Sequence, residues 1–167
     1  TTTIFGYNPD LDIAKEHTLA PYLQGEESTI SYAIRPTYWP GIDLIPCALH
    51  WYGAEYEMAA QVSGNVGLLE SLKYGINTVS SGYDLVILDP PPALGLISIS
   101  ALIAANALVI PVPPANTDFA STENFFSMLL DTLSTLQNHG VQPDYKFFRL
   151  ALSKFNDRKS THVAIAQ

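Results

Sequence analysis

The chain has 167 residues, of which 47% are hydrophobic and 14% are charged, a composition typical of one globular domain with a sizeable core. Sixteen Asp and Glu against eight Lys and Arg give a formal net charge of −8, which argues against a basic nucleic-acid surface in this chain. The single cysteine, Cys47, excludes an intramolecular disulfide and fits a reducing cytoplasm; we expect it to be a small buried side chain. No apolar stretch reaches membrane-spanning length without polar interruption, so no membrane segment is expected.

The first third of the chain predicts turns and short elements. Thr1 to Tyr7 resembles a helix end that closes at Gly6. Residues 31–35 fit a short helix and a short strand equally well, and Ile42 to Pro46 predicts a short strand. Trp39 could stack on a ligand ring, but packing in the core or in a loop is the expected role of such a large aromatic side chain.

Three helices are predicted in the middle of the chain. The first covers Trp51 to Val62, and the second covers Gly64 to Leu72 and closes around Gly75. Leu96 to Asn106 predicts the third, which carries almost no charge. A helix that is apolar on all sides is expected to be buried.

Three apolar runs predict strands. Leu85 to Leu88 and Ala107 to Val112 lack polar alternation, which is typical of strands buried on both faces of a parallel sheet. Together with the helix between them they predict a right-handed βαβ unit. Lys146 to Leu152 predicts the last strand.

A long helix is predicted between the last two strands, starting near Asn116 or Thr117 and ending at Gly140. Its apolar residues recur at three- and four-residue spacing, and we expect this stripe to be core packing. The stripe consists of Phe126, Leu129, Leu130, Leu133 and Leu136.

Asp89 stands directly after the first of these apolar runs and is followed by three prolines, Pro90 to Pro92, and then by Gly95. Ligands of parallel sheets bind beyond the carboxyl ends of the strands, where this carboxylate would meet a metal ion or a phosphate. The prolines fix φ and disfavour helix, so they predict a stiff loop after Asp89. The alternative is that Asp89 caps the next helix or stabilises a turn.

Other chemistries lack a signature. The four histidines are scattered and have no metal-ligand spacing among themselves or with Cys47, and no G-x-S-x-G element is present for a serine nucleophile. A phosphate cradle of the form G-x-x-x-x-G-K-[ST] is also missing. Gly64 to Gly67 is the nearest glycine pair, and it lacks the lysine.

Several segments resemble one family. Asp89 to Gly95, DPPPALG, is similar to the D-x-P-P-x-L-G element of the ParA-type partition ATPases, a deviant-Walker branch of the P-loop NTPases. Pro36 to Pro46, Glu55 in GAEYE, Ala107 to Pro114 and Ala151 to Arg158 resemble the same family in the same order. The resemblance therefore covers nearly the whole chain.

This resemblance implies an α/β fold, a three-layer sandwich with a mostly parallel sheet of the P-loop NTPase, SIMIBI-like class, truncated at both ends. Residues 1–167 would form a single partial ATPase domain, with the phosphate cradle upstream of Thr1. The implied activity is ATP hydrolysis by the whole protein, and this segment alone is expected to be inactive.

The resemblance also implies roles for single residues. Asp89 would be catalytic, either orienting magnesium through its water shell or positioning the attacking water, with ATP and Mg as cofactors. The other candidates are loop residues: Pro91 and Pro92 would shape a loop that shifts between nucleotide states. Those near the adenine would be Pro113, Pro114, Ser153 and Lys154. For Ser153 and Lys154, a simple loop role remains equally open.

The implied biology is segregation of a plasmid or a chromosome. ATP would join two copies as a homodimer, the dimer would bind nonspecific DNA, and a ParB-like centromere-binding protein would stimulate hydrolysis, in the cytoplasm at the nucleoid. Two alternatives stay open. One is a related deviant-Walker ATPase, such as a division-site or polysaccharide-secretion regulator; the other is a non-hydrolysing binding or dimerisation remnant.

Overall fold

The computed structural model describes residues 1–48, 52–62, 66–91, 93–114, 116–159 and 162–163. The chain divides into two compact units, Thr1–Ala104 and Ala105–Gln167, and each is described by itself. No helix in the described part of the chain combines the length and the hydropathy needed to cross a membrane.

The first unit begins with a turn of helical type that closes as predicted at Gly6. Gly6 has a φ of +93°, a left-handed conformation that glycine adopts without steric cost. The Tyr7 N–H donates to Thr2 O and the Gly6 N–H donates to Thr3 O, the two hydrogen bonds of a Schellman motif. The turn brings Phe5 edge-on against the Trp39 ring, so Trp39 packs against a loop, as expected.

A two-stranded antiparallel ribbon follows. A short 3-10 helix, Ser31–Ala33, leads into β1 (Arg35–Pro36), which pairs with β2 (Asp43–Leu44). Residues 31–35 therefore contain both alternatives that the sequence left open. The predicted strand from Ile42 to Pro46 is confirmed in its central part.

The described residues of this unit form four α-helices: α1 (Ala20–Leu23), α2 (Tyr52–Val62), α3 (Ser71–Val79) and α4 (Leu96–Ala104). The predicted second helix is partly right, because a 3-10 helix over Val66–Glu70 precedes α3, whereas Gly64 lies outside the described residues. No residue of α4 is exposed, as expected of an apolar helix. The buried apolar side chains of the unit include Ile30, Ala33, Leu69, Leu72, Ala101 and Ile103.

The expectation that a helix closes at Gly75 is wrong, since α3 continues through this residue. A Cβ built on Gly75 would lie 2.8 Å from Ile30 Cγ2 and 2.9 Å from Tyr22 Cε1. Glycine is therefore required here by close packing. The Tyr22 hydroxyl donates to Ser71 O at 2.8 Å and holds the ring against α3.

The predicted buried strand at Leu85 to Leu88 is wrong. This segment is irregular, and no strand in the described residues pairs with it. Leu85 is 73% exposed and Ile87 is 79% exposed. An apolar run signals a need for burial, but a strand also needs a neighbour to accept and donate its backbone hydrogen bonds. The predicted βαβ unit that starts here is consequently not formed.

The second unit contains a βαβ unit further along the chain. β3 (Ala107–Val112) and β4 (Phe147–Leu152) run parallel, in register from Ala107–Phe147 to Val112–Leu152, so both segments are strands as predicted. The expected burial of β3 on both faces is wrong, because Val109 is 61% exposed. Helix α5 (Asn116–Asn138) connects them. It ends, as predicted, just before Gly140, which has a φ of +81°.

The apolar stripe of α5 is only partly core. Leu129 and Leu136 are buried, but Leu130 is 63% exposed, which corrects the expectation for this residue. Leu130 follows Leu129 directly, and adjacent helical residues point about 100° apart, so both cannot face the same side. The α/β class is confirmed, with helices and a parallel strand pair.

Candidate functional site

Asp89 lies at the protein surface, at the end of the irregular segment and at the start of the proline loop. The Thr1 hydroxyl donates a hydrogen bond to Asp89 Oδ2. The next residue, Thr2, is buried, and its hydroxyl lies 3.1 Å from both the backbone N and the O of Cys47. The first turn of the chain thus fixes one side of the Asp89 carboxylate.

The loop after Asp89 is held by the first turn of α4. Ser98 is 4% exposed, and its Oγ lies 2.6 Å from Ala93 O and 3.1 Å from Pro91 O, so its single proton is shared between the two carbonyls. Pro91 itself is exposed, and Pro92 lies outside the described residues. Ser98 thus holds the loop after Asp89 through the carbonyls of Pro91 and Ala93, a contact that the sequence did not indicate.

Glu55, on α2, reaches the start of α4 from the other side. Its Oε1 accepts a hydrogen bond from the Leu96 N–H at 2.7 Å, although the two residues are 41 positions apart. A Cβ on Gly95 would overlap this carboxylate. Gly95 thus allows the close approach of the Glu55 side chain.

In the second unit, the remaining candidates meet at the carboxyl ends of β3 and β4. The Ser153 N–H donates to Val112 O at 3.0 Å, which extends the parallel pairing by one step. Pro113 is half-buried beside it, whereas the Pro114 side chain is fully buried. Lys154 is exposed and has a φ of +55°, the one positive φ among described residues other than glycine.

This backbone conformation distinguishes Lys154 from an ordinary loop residue. A side chain with a Cβ in the left-handed region costs about 1–2 kcal/mol. Such strained residues cluster at binding and catalytic sites, where the surrounding structure holds them in place. The binding role of Lys154 stays a prediction.

Within the described ranges, no group of three or more His, Cys, Asp or Glu residues comes together. The expectation for Cys47 is wrong, because this residue is exposed, although its backbone N–H and C=O both contact the Thr2 hydroxyl. Sequence reasoning missed Thr1, Thr2 and Ser98, whose spacing from Asp89 carries no motif.

The chain is similar to known proteins over most of its length. Residues 1–146 match the family described as AAA domain. Protein SopA of Escherichia coli (strain K12) is 36% identical over 160 residues, which cover 93% of this chain and 41% of SopA. This chain thus spans less than half the length of that relative.

Solved structures show the same fold. A structure named Partition Protein has a TM-score of 0.74 and 27% identity, and the match covers 88% of this chain and 45% of that one. Cobyrinic acid a,c-diamide synthase from Mycobacterium smegmatis, solved with an ATP analog and magnesium, has a TM-score of 0.78. This second match covers 99% of this chain and 62% of that one at 23% identity, a likeness that shows the fold alone.

The predicted P-loop NTPase fold class is confirmed by these structures. The resemblance noted in the sequence is confirmed as well, since the family match includes the DPPPALG loop and the segments before it. The ParA family protein of Chlamydia pneumoniae is 32% identical over 168 residues, which cover 99% of this chain and 60% of that protein. The chain therefore belongs to the AAA domain family, in its ParA-type branch.

Proposed function

We propose that this protein is an ATP-dependent partition ATPase, which hydrolyses ATP to drive segregation of a plasmid or a chromosome. The observation that carries the proposal is the Asp89 carboxylate, exposed at the head of a loop that Ser98 anchors. A turn-stabilising or capping aspartate would bind nearby backbone N–H groups. Asp89 instead accepts a hydrogen bond from the hydroxyl of Thr1, 88 residues away, and stays accessible to solvent.

Magnesium fits the residues around Asp89. The ion prefers one or two carboxylates, water and substrate phosphates over a complete protein cage. The described residues offer this arrangement: an accessible carboxylate without a cluster of further acidic or histidine ligands. In the proposed role, Asp89 accepts hydrogen bonds from water around the ion and keeps that water oriented. Bound magnesium would supply neutralisation of phosphate charge.

The nucleotide base is assigned, within this proposal, to the loops after β3 and β4. Ser153 offers a hydroxyl that donates or accepts, and Lys154 offers a cation at the rim of the second unit. Pro113 stands beside Ser153 through the shared strand register. Pro91 and Pro92 retain the proposed role of shaping the loop that responds to the phosphates. Because Pro114 is fully buried, its role is to hold Pro113 in place.

The partners belong to the same proposal. ATP would join two copies into a homodimer that binds nonspecific DNA, and a ParB-like centromere-binding protein would stimulate hydrolysis, in the cytoplasm at the nucleoid. The similarity of this chain to the chromosome partitioning protein ParA of Myxococcus xanthus supports the segregation role. With a net charge of −8, the 167 residues are poorly suited to bind DNA over a broad face, so we assign DNA contact to the dimer of the complete protein.

The proposal is tested by Asp89→Ala in the protein expressed from its complete reading frame. Magnesium-dependent ATP hydrolysis is expected to fall by about 100-fold or more, because the positioned water is lost. The matched control is Asp84→Ala, which removes the same charge at the other end of the exposed apolar segment. Near-normal turnover by a folded Asp89→Ala protein would overturn the role of Asp89. A wild-type protein that binds ATP without turnover would identify a non-hydrolysing remnant.

A further inference from the structure

Glu55 forms a long-range polar contact to the helix that follows the Asp89 loop. Its carboxylate lies 2.7 Å from the Leu96 N–H, in the first turn of α4. The first N–H groups of a helix have no partner inside the helix and favour a negative charge nearby. Glu55 supplies both the acceptor and the charge from α2, a separate helix.

Gly95 makes this contact possible. Its missing Cβ leaves the space that the Glu55 carboxylate occupies. The position of the Glu55 carboxylate therefore depends on a glycine at position 95, because any larger residue would occupy the same space. A general helix cap would not need a partner of this kind, because a cap is usually supplied by the residue just before the helix.

The contact reaches Asp89 through a short and stiff piece of chain. Six positions separate Asp89 from Gly95, and the prolines restrict the backbone between them. Ser98 fixes the carbonyls of Pro91 and Ala93 to the same first turn of α4. A shift at the start of α4 is therefore transmitted to the loop, since the loop has little internal freedom to absorb it.

We propose that Glu55 is a positioning residue that sets the location of the Asp89 carboxylate by fixing the first turn of α4. This inference rests on the proposed function, because it concerns the hydrolysis assigned to Asp89. It adds a residue on α2 that does not touch the reacting groups. It also gives the GAEYE segment, which contains Glu55, a role in positioning the Asp89 carboxylate.

The test compares Glu55→Ala, Glu55→Gln and Gly95→Ala in the complete protein. Glu55→Ala is expected to lower kcat for ATP hydrolysis by about 10- to 100-fold, since a misplacement of about 1 Å costs that much. KM for ATP should change little, because Glu55 is not assigned a nucleotide contact. Glu55→Gln keeps an oxygen acceptor for Leu96 and should restore kcat to within about fivefold of wild type. Gly95→Ala should reproduce the loss, and the double variant Glu55→Ala/Gly95→Ala should lose no more than either single variant.

Gly75→Ala is the control for a purely structural role of Glu55. It destabilises the same unit at a position away from the contact between Glu55 and Leu96. Gly75→Ala is expected to lower the melting temperature and to leave kcat unchanged well below it. Amide exchange gives a second readout: the Leu96 N–H should exchange roughly tenfold faster in Glu55→Ala and at the wild-type rate in Gly75→Ala.

Wild-type kcat in Glu55→Ala, an equal loss in Glu55→Gln, or unchanged exchange at Leu96 would each overturn the positioning role. A wild-type protein without any turnover would overturn the proposed function instead. The exchange measurement then still decides whether Glu55 holds α4.

Discussion

Replacement of Gly75 by alanine tests the packing of the first unit most directly, because two effects of opposite sign compete there. In an exposed helix, Gly→Ala stabilises by about 1 kcal/mol through helix propensity and chain entropy. In α3, however, the added Cβ would meet Ile30 Cγ2 at 2.8 Å and the Tyr22 ring at 2.9 Å and 3.0 Å. Ile30 is 1% exposed, so it has no room to withdraw.

Tyr22 is equally restrained. Its hydroxyl donates to Ser71 O at 2.8 Å, and its backbone N–H donates to the Tyr32 hydroxyl at 3.1 Å. Overpacking of a well-filled core costs about 1–3 kcal/mol, and a broken hydrogen bond adds about 1 kcal/mol. After the gain in helix propensity is subtracted, we expect Gly75→Ala to lower the free energy of unfolding by about 2 kcal/mol.

Urea unfolding, followed by circular dichroism, measures this change. Gly82→Ala is the matched control, because no atom lies within 4 Å of the added Cβ and Gly82 does not require a positive φ. The control is expected to be neutral or more stable by up to about 1 kcal/mol. A Gly75→Ala protein as stable as wild type would refute the packing argument, since propensity would then outweigh the close contacts.

Two further predictions concern the second unit. Burial raises the pKa of Tyr145 to about 12 from an ordinary value of 10.0, so between these pH values the unfolded chain releases a proton that the folded chain keeps. Stability should therefore fall as pH rises from 10 towards 12, and less steeply in Tyr145→Phe; parallel pH dependences of the two unfolding midpoints would contradict this assignment. Lys154→Gly should relieve the backbone strain at φ +55° and change stability by about 0 to +1 kcal/mol, whereas Lys154→Val should destabilise by more than about 1 kcal/mol. Calorimetry of ATP binding should show weaker affinity for Lys154→Gly despite its stability, and unchanged affinity would remove Lys154 from the site.

Local patterns predicted the elements that are determined by nearby residues. The apolar run of β3 and the glycine after α5 gave the correct bounds, because strand and helix-end preferences act over a few positions. Leu85 to Leu88 has an equally strong apolar signal, yet it forms no strand among the described residues. Strand formation depends on a partner, and a single run of residues carries no information about that partner.

Most contacts of the site that escaped prediction join residues far apart in the sequence. Glu55 contacts the N–H of Leu96, and Thr1 contacts Asp89, across 41 and 88 positions. No periodicity links residues at such separations. Gly75 was misread for a related reason: glycine ends helices and also allows close packing, and only the tertiary structure distinguishes the two.

The exposed apolar segment has a consequence for the solution behaviour of variants. Leu85 to Leu88 is short, uncharged and rich in residues that favour cross-β stacking between chains. Asp84 and Asp89 bracket it with like charges, and such gatekeeper residues oppose lateral association of identical segments. Asp89 would then protect the chain from aggregation in addition to its proposed role in hydrolysis. Removal of either carboxylate should raise light scattering in concentrated samples.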